Sequence, residues 1–245
     1  MAEKKKHINP LPFPVYFWTV VIIALIGRGD AVYLAISHYR VYTDMGYKSF
    51  CAVSKSLNCD TVSQSPYSIC LTVPVPVWGL VGDLFFLMVL YCVWKMDENR
   101  TRLWPILALI AFCFSVCSIV LAFVSTFYIR SYCIMCIVSY AVNLLLLYFS
   151  WLTHNRFSNE SIGMGLRNDL GLLKEHKTAG MFSISAMVAL CAVLIMFFPS
   201  YWEFTPVSRD KNVPTGMTME GHPWIGAEEP QITITEFTDY RCFQC

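Results

Sequence analysis

The sequence predicts an all-α integral membrane protein, and three observations carry that prediction. Of its 245 residues 56% are hydrophobic and 14% charged, with a mean hydropathy of +0.51, more apolar surface than a water-soluble fold of this length can hide. Apolar runs at 14–37, 76–94, 104–129, 133–152 and 180–198 are each roughly 19 to 26 residues long, enough at ~1.5 Å per residue to cross a ~30 Å hydrocarbon core. Basic residues gather in alternate short connectors: Lys4, Lys5 and Lys6; Lys95, Arg100 and Arg102; Arg156, Arg167, Lys174 and Lys177. The positive-inside rule puts those connectors in the cytoplasm. A net charge of +1 without a clustered basic face excludes a nucleic-acid partner.

Segment 1–13 is the cytoplasmic amino terminus, and the first run reads as a retained signal anchor, too long for a cleaved leader. Its outer third holds Gly27-Arg28-Gly29-Asp30, and Asp30, Tyr33 and Ser37 share one helical face. From 38 to 75 comes a polar, turn-rich loop with Cys51, Cys59 and Cys70 and the turn signal Ser65-Pro66-Tyr67. The second span is opened by Pro74 and Pro76, which suit a first helical turn, and by Trp78, which suits an interface. Asp83 lies ~9 Å inside that end. The third span carries Cys113 and Cys117, read as buried packing thiols. Arg130-Ser131-Tyr132 leaves room only for a tight turn.

The fourth span opens on Cys133-Ile134-Met135-Cys136, and Cys133, Cys136, Tyr140 and Asn143 form one stripe down its face. With Ser131 capping the first turn, orphan N–H groups and the helix dipole favour a thiolate, the form that attacks disulfides. Polar side chains below it, Tyr140 and Asn143, are costly in lipid and face a partner or a site. After a cytoplasmic connector at 153–179, the fifth span (180–199) is stopped by Pro199, and 200–230, rich in Pro, Gly and Thr, reads as a linker. The final segment, 231–245, alternates like a strand and ends in Cys242-Phe243-Gln244-Cys245, the opening of a thioredoxin-like domain. The topology collects Cys51, Cys59, Cys70, the Cys133/Cys136 mouth and the tail on the extracytoplasmic side, where disulfides persist.

Together, Cys51-x7-Cys59, Ser65 six residues after Cys59, Val77-Trp78-Gly79 opening a span, and Cys133-Ile134-Met135-Cys136 followed by Tyr140 and Asn143 resemble the vitamin K epoxide reductase family, in its bacterial form fused to a thioredoxin-like domain. The resemblance covers about 14–151 and implies a four-helix bundle (14–152) around a quinone of the ubiquinone or menaquinone type. It implies that Cys51 meets the thioredoxin-like partner, Cys59 exchanges with Cys133, and Cys136 faces the quinone, with Ser65 and Tyr140 near that site. Cys242 and Cys245 would belong to the thioredoxin-like part. The implied role is disulfide formation in exported proteins at the bacterial inner membrane. Val75 stands where the vitamin K-reducing animal members carry an asparagine, which argues against the epoxide as substrate.

The residues point the same way independently. Asp30, Asp83 and Tyr140, on three helices, fall at one depth of about 9 to 10 Å, as a head-group pocket near the CxxC requires. With the resemblance, Trp78, Ser65 and Asn143 complete the expected lining, and no metal site is expected. Two alternatives from other classes are a soft-metal (copper or zinc) carrier built on the outer cysteines and a disulfide-stapled structural membrane protein.

Overall fold

The computed structural model describes residues 11–44, 46–54, 56–95, 102–158, 162–167, 177–203, 213–227 and 231–235. Four of its helices are long and apolar enough to cross a bilayer: α1 (Phe13–Thr43), α3 (Val75–Lys95), α4 (Trp104–Val124) continued by a π-helical segment Ser125–Ile129, and α5 (Ile134–Phe157). The short α2 (Cys59–Ser63), a 3-10 turn (Pro66–Ser68) and a hairpin of β1 (Ile69–Cys70) with β2 (Val73–Pro74) lie between α1 and α3. A helical turn α6 (162–167) and α7 (Lys177–Phe197) follow. This unit closes at Pro199, and a second compact unit begins at Ser200.

Helix packing follows from small residues at regular intervals. On α1 the buried positions include Phe17, Val20, Ala24, Gly27, Ala31 and Leu34, alternately three and four residues apart, the seam of a left-handed helix pair. Helix α3 presents Asp83, Phe86, Leu90 and Val93 on the same rhythm. Lipid tails are as apolar as leucine, so close van der Waals contact rather than water exclusion drives such pairs. Helix α1 packs against α3 and α5, and α4 packs mainly against α5. A Cβ on Gly27 would stand 2.8 Å from Val142 Cγ1 of α5, and one on Gly82 the same 2.8 Å from the Phe114 ring of α4. Phe86, Trp104, Leu107, Ala111 and Leu146 fill the half of the bundle away from the cysteines.

The end of the first span differs from the sequence reading for a physical reason. Helix α1 continues past Ser37 to Thr43 because the loop folds onto its emergent end. Tyr47 Oη donates to Ser37 Oγ (3.2 Å), Tyr42 Oη to the Ser63 carbonyl (3.4 Å), and His38 Nε2 lies 3.2 Å from Ser68 Oγ. The β1–β2 turn, Leu71-Thr72, has both residues left-handed (φ 51° and 62°), the twist a two-residue hairpin needs. Thr72 Oγ1 donates to the Ile195 carbonyl of α7 at 3.0 Å.

Other expectations are corrected. Cys113 and Cys117 are exposed rather than buried. The close-packed face of α4 is taken by Trp104, Leu107, Ala111, Ser115 and Ser118, which leaves Cys113 outside it and Cys117 at the open cavity. In the second unit, segment 200–230 contains an antiparallel hairpin, Thr215–Met217 with Pro223–Ile225, where composition suggested only a linker. Residues 231–235 are irregular rather than strand, since a strand exists only with a ladder partner, and Cys242 and Cys245 lie outside the described residues.

The Gly27 contact yields a paired expectation. Gly27→Val drives side-chain atoms into Val142 and should destabilise the bundle by about 1–3 kcal/mol, read as a lowered melting temperature in detergent. Gly29→Ala, where a Cβ meets nothing within 4 Å, should hold or raise it.

Candidate active site

The loop cysteines and the mouth cysteines meet through the backbone that precedes them. Asn58 N–H donates to the Tyr132 carbonyl (3.0 Å) and Tyr132 N–H to the Ser56 carbonyl (2.8 Å), a parallel bridge at Leu57 and Tyr132. Asn58 immediately precedes Cys59, and Tyr132 immediately precedes Cys133. Asn58 also caps α2, its Oδ1 accepting from Asp60 N–H (3.0 Å) and Thr61 N–H (3.2 Å). Asp60 Oδ2 in turn accepts from Ser49 N–H at 3.2 Å, which holds the Cys51 segment against α2.

Cys51 and Cys59 form a disulfide, while Cys133 and Cys136 are thiols. Cys51, Cys59 and Cys133 are 0%, 1% and 2% exposed, and form one cluster with Leu34, against which Tyr33, Val62, Met135 and Cys136 pack. Cys70 is a free, exposed thiol in β1, so the loop pairing is Cys51 with Cys59.

Cys133 itself, rather than Ser131, is the N-cap of α5, and its sulfur accepts from Cys136 N–H at 3.2 Å. Ser131 instead donates to the Asn58 carbonyl (3.4 Å) and accepts at its own carbonyl from Ser125 Oγ (2.5 Å). The Cys133 thiol is held below the ordinary thiol value, first by the hydrogen bond from the Cys136 side chain, then by the backbone N–H groups of Cys136 and Met135, which outweigh the opposing effect of burial.

Beneath this cluster lies a largely apolar cavity of about 810 Å³, bounded by α1, α3, α4, α5 and the hairpin. Cys136, Ser65, Trp78, Asp83, Tyr140 and Asn143 all line it, as does Val75. Their polar ends are differently engaged. Trp78 Nε1 donates to the Cys70 carbonyl (2.9 Å), which leaves its ring as wall. Asn143 Nδ2 donates to Ser118 Oγ (2.8 Å), and Ser65 Oγ to the Val62 carbonyl (2.7 Å). Asp30, expected in the lining, stands behind it, where its Oδ2 accepts from Ser139 Oγ, and Ser139 is the residue that faces the cavity. A smaller cavity of about 160 Å³ touches Cys133, Cys136 and Tyr140 from the side of Tyr132 and Thr126.

Sequence reasoning missed Asn58, Asp60, His38 and Ser139. Asn58 had a signal, an Asx residue opening a short helix, and Ser139 had one at i+3 from Cys136. His38 and Asp60 are placed only by the folded loop.

A buried sulfur cluster at the head of an apolar cavity, on a membrane bundle, is an arrangement for passing electrons between thiols and a lipid-soluble acceptor. A model of the Vitamin K epoxide reductase family matches residues 18–151. The chain belongs to this family. No curated protein matches it. Membership in the vitamin K epoxide reductase family makes the chain a multi-pass membrane thiol–disulfide oxidoreductase, and members of that family use quinones. Among the described residues no three His, Cys, Asp or Glu side chains converge as metal ligands do.

The Cys133 environment predicts a pH profile. A lowered thiol value keeps the thiolate present to lower pH, so alkylation of Cys133 by a small reagent should have its midpoint below that of an ordinary thiol. Cys136→Ala removes the leading donor and should move the midpoint up. An unmoved midpoint would assign the effect to the helix amides alone.

Proposed function

We propose that the protein is a quinone-linked oxidase of protein thiols, supporting disulfide formation in exported proteins. Electrons pass from a thioredoxin-like partner to Cys51/Cys59, then to Cys133/Cys136, then to a quinone of the ubiquinone or menaquinone type. The observation that carries this reading is the Leu57–Tyr132 bridge, which packs both cysteine pairs into one buried cluster directly above the cavity.

The residues perform the steps as follows. A partner thiolate opens the Cys51–Cys59 disulfide at Cys51. Cys59, freed as a thiolate, attacks the disulfide form of the mouth pair at Cys133 and releases Cys136; the partner's second thiolate resolves the partner–Cys51 mixed disulfide, and the Cys51 thiolate so freed attacks Cys59 and releases Cys133, which restores the loop disulfide and leaves Cys133 and Cys136 reduced and the partner oxidised. The pairing present, a loop disulfide above a mouth dithiol, matches the moment after that exchange. Cys133 is the better leaving and attacking group because its thiolate is stabilised.

The cavity suits a quinone in volume, in its apolar walls and in the convergence of Cys136 and Tyr140 at one end. A bound quinone would supply a two-electron acceptor that exchanges with the membrane pool. Trp78, Val75 and Asn143 shape the walls, and Tyr140, whose hydroxyl makes no hydrogen bond to the protein among the described residues, offers a neutral donor to a ring oxygen. We assign α7 as a fifth span, with the basic connectors in the cytoplasm of a bacterial cell and the cysteines on the periplasmic side. Cys242 and Cys245 are assigned to the thioredoxin-like partner.

Cys59→Ala should cut oxidation of a reduced thioredoxin-like protein by a factor on the order of a hundred or more, while a small dithiol still reduces Cys133/Cys136. Full activity of Cys59→Ala toward a protein thiol, with Cys70 carrying the exchange, would overturn the shuttle. Tyr140→Phe should slow the quinone step about tenfold to a hundredfold in stopped-flow measurements, the loss of one donor from a dry site.

A further inference from the structure

At and behind the cavity wall, three ionisable residues, Arg28, Asp30 and Asp83, lie within the membrane-spanning helices. Asp30 and Asp83 are each 8% exposed. Asp83 Oδ2 comes within 3.9 Å of the Cβ position of Gly27, the residue before Arg28 and one turn before Asp30. Asp30 Oδ2 accepts from Ser139, but Asp30 Oδ1 is buried with no hydrogen-bond partner among the described residues, and so is Arg28 Nη1. Ser139 faces the cavity one turn below Cys136 and beside Tyr140. The other groups turned toward this point are Cys133, Cys136 and Tyr140 on α5 and Cys117 and Ser118 on α4.

Two carboxyls beside one guanidinium in hydrocarbon reach neutrality only if one carboxyl keeps a proton, because an uncompensated charge there is costly. Asp83 is the carboxyl that lines the cavity directly. Asp30 is the carboxyl with a free oxygen and a hydroxyl link to the cavity. Nothing in the thiol–disulfide exchange uses either group.

Resting on the quinone reading above, we infer that Asp30 is a proton-delivering residue of the quinone half-reaction, carrying a proton on its carboxyl and passing it through Ser139 to the oxygen of a quinone bound beside Cys136. The step balances. Cys133 enters as a thiolate and Cys136 as a thiol; the S–S bond forms, the Cys136 S–H bond breaks, and two electrons leave the sulfurs for the quinone. One of the two protons that complete the hydroquinone comes from Cys136 and the second from Asp30. Asp30 regains its proton from extracytoplasmic water, which took up the proton of Cys133 when that thiolate formed. Asp83 has no contact with Ser139 and is given no part in the delivery.

The test has two readouts on the full chain in detergent. Infrared spectroscopy without quinone should show a protonated-carboxyl band that exchanges in D2O, disappears in Asp30→Asn and shifts in Ser139→Ala. With a short-chain ubiquinone, stopped-flow should show the quinone step slowed by a factor on the order of a hundred in Asp30→Asn, with the exposed-carboxyl control Asp44→Asn unchanged in both readouts. Asn at position 30 keeps the shape and the Ser139 contact, and Ser139→Ala tests the link if that variant is poorly folded. A band that survives Asp30→Asn, or a quinone step at the wild-type rate in Asp30→Asn and Ser139→Ala, overturns the inference. Wild-type protein that shows the band but reduces no quinone overturns the function proposed above and the delivery step with it, and is thereby distinguishable from failure of Asp30 alone.

Discussion

Two backbone hydrogen bonds, Asn58 to Tyr132 and Tyr132 to Ser56, hold the cysteine loop onto the mouth of α5, and the redox geometry depends on them. A disulfide shuttle works only if its sulfur can reach a second pair without a large rearrangement. The bridge supplies that reach by pairing the residues directly before Cys59 and Cys133. Its strength comes from being buried beside sulfur and leucine rather than from the two bonds alone, since an isolated pair of exposed hydrogen bonds contributes little net stability. Asn58 serves both ends of this arrangement, with its side chain capping α2 and its main chain bonding the bridge and Ser131.

Hydrocarbon imposes the second constraint, that polar groups inside the bundle be satisfied by the bundle. Ser115 Oγ donates to the Asn143 carbonyl (3.2 Å), Asn143 to Ser118, and Ser139 to Asp30. These bonds lie at the level of the cavity, and the apolar packing of Phe86, Trp104, Leu107 and Leu146 lies on its side away from the cysteines. The bundle is thus divided into a close-packed half and an open half, with a few hydrogen-bonded polar side chains, beneath the cysteines. The small residues Ala24, Gly27 and Ala31 serve the division by letting α1 approach its neighbours there.

Much of the candidate site is legible in the amino-acid sequence. Ser65, Trp78, Asp83, Tyr140 and Asn143 line the cavity, and the family match covers the segment that carries them. Helical periodicity and depth suffice for such residues, because both follow from the rise of a helix and the thickness of a bilayer. The same periodicity misplaces the thiols of α4. Cys113 and Cys117 sit in a run so apolar that its lipid face and its inner face carry the same residue types.

The sequence by itself determined the four spans, the cysteine pair at the mouth of the fourth, and the family, because hydrophobic length and local spacing are properties of contiguous residues. Only the tertiary structure decided that Cys51 pairs with Cys59 while Cys70 stays free, that Cys133 caps its own helix in place of Ser131, and that Asp30 addresses the cavity through Ser139. Each of these depends on which side chains meet across elements distant in the chain. That is set by the closure of the loop onto α5 and by the approach of α1 to α3 and α5, neither of which leaves a local pattern in the sequence.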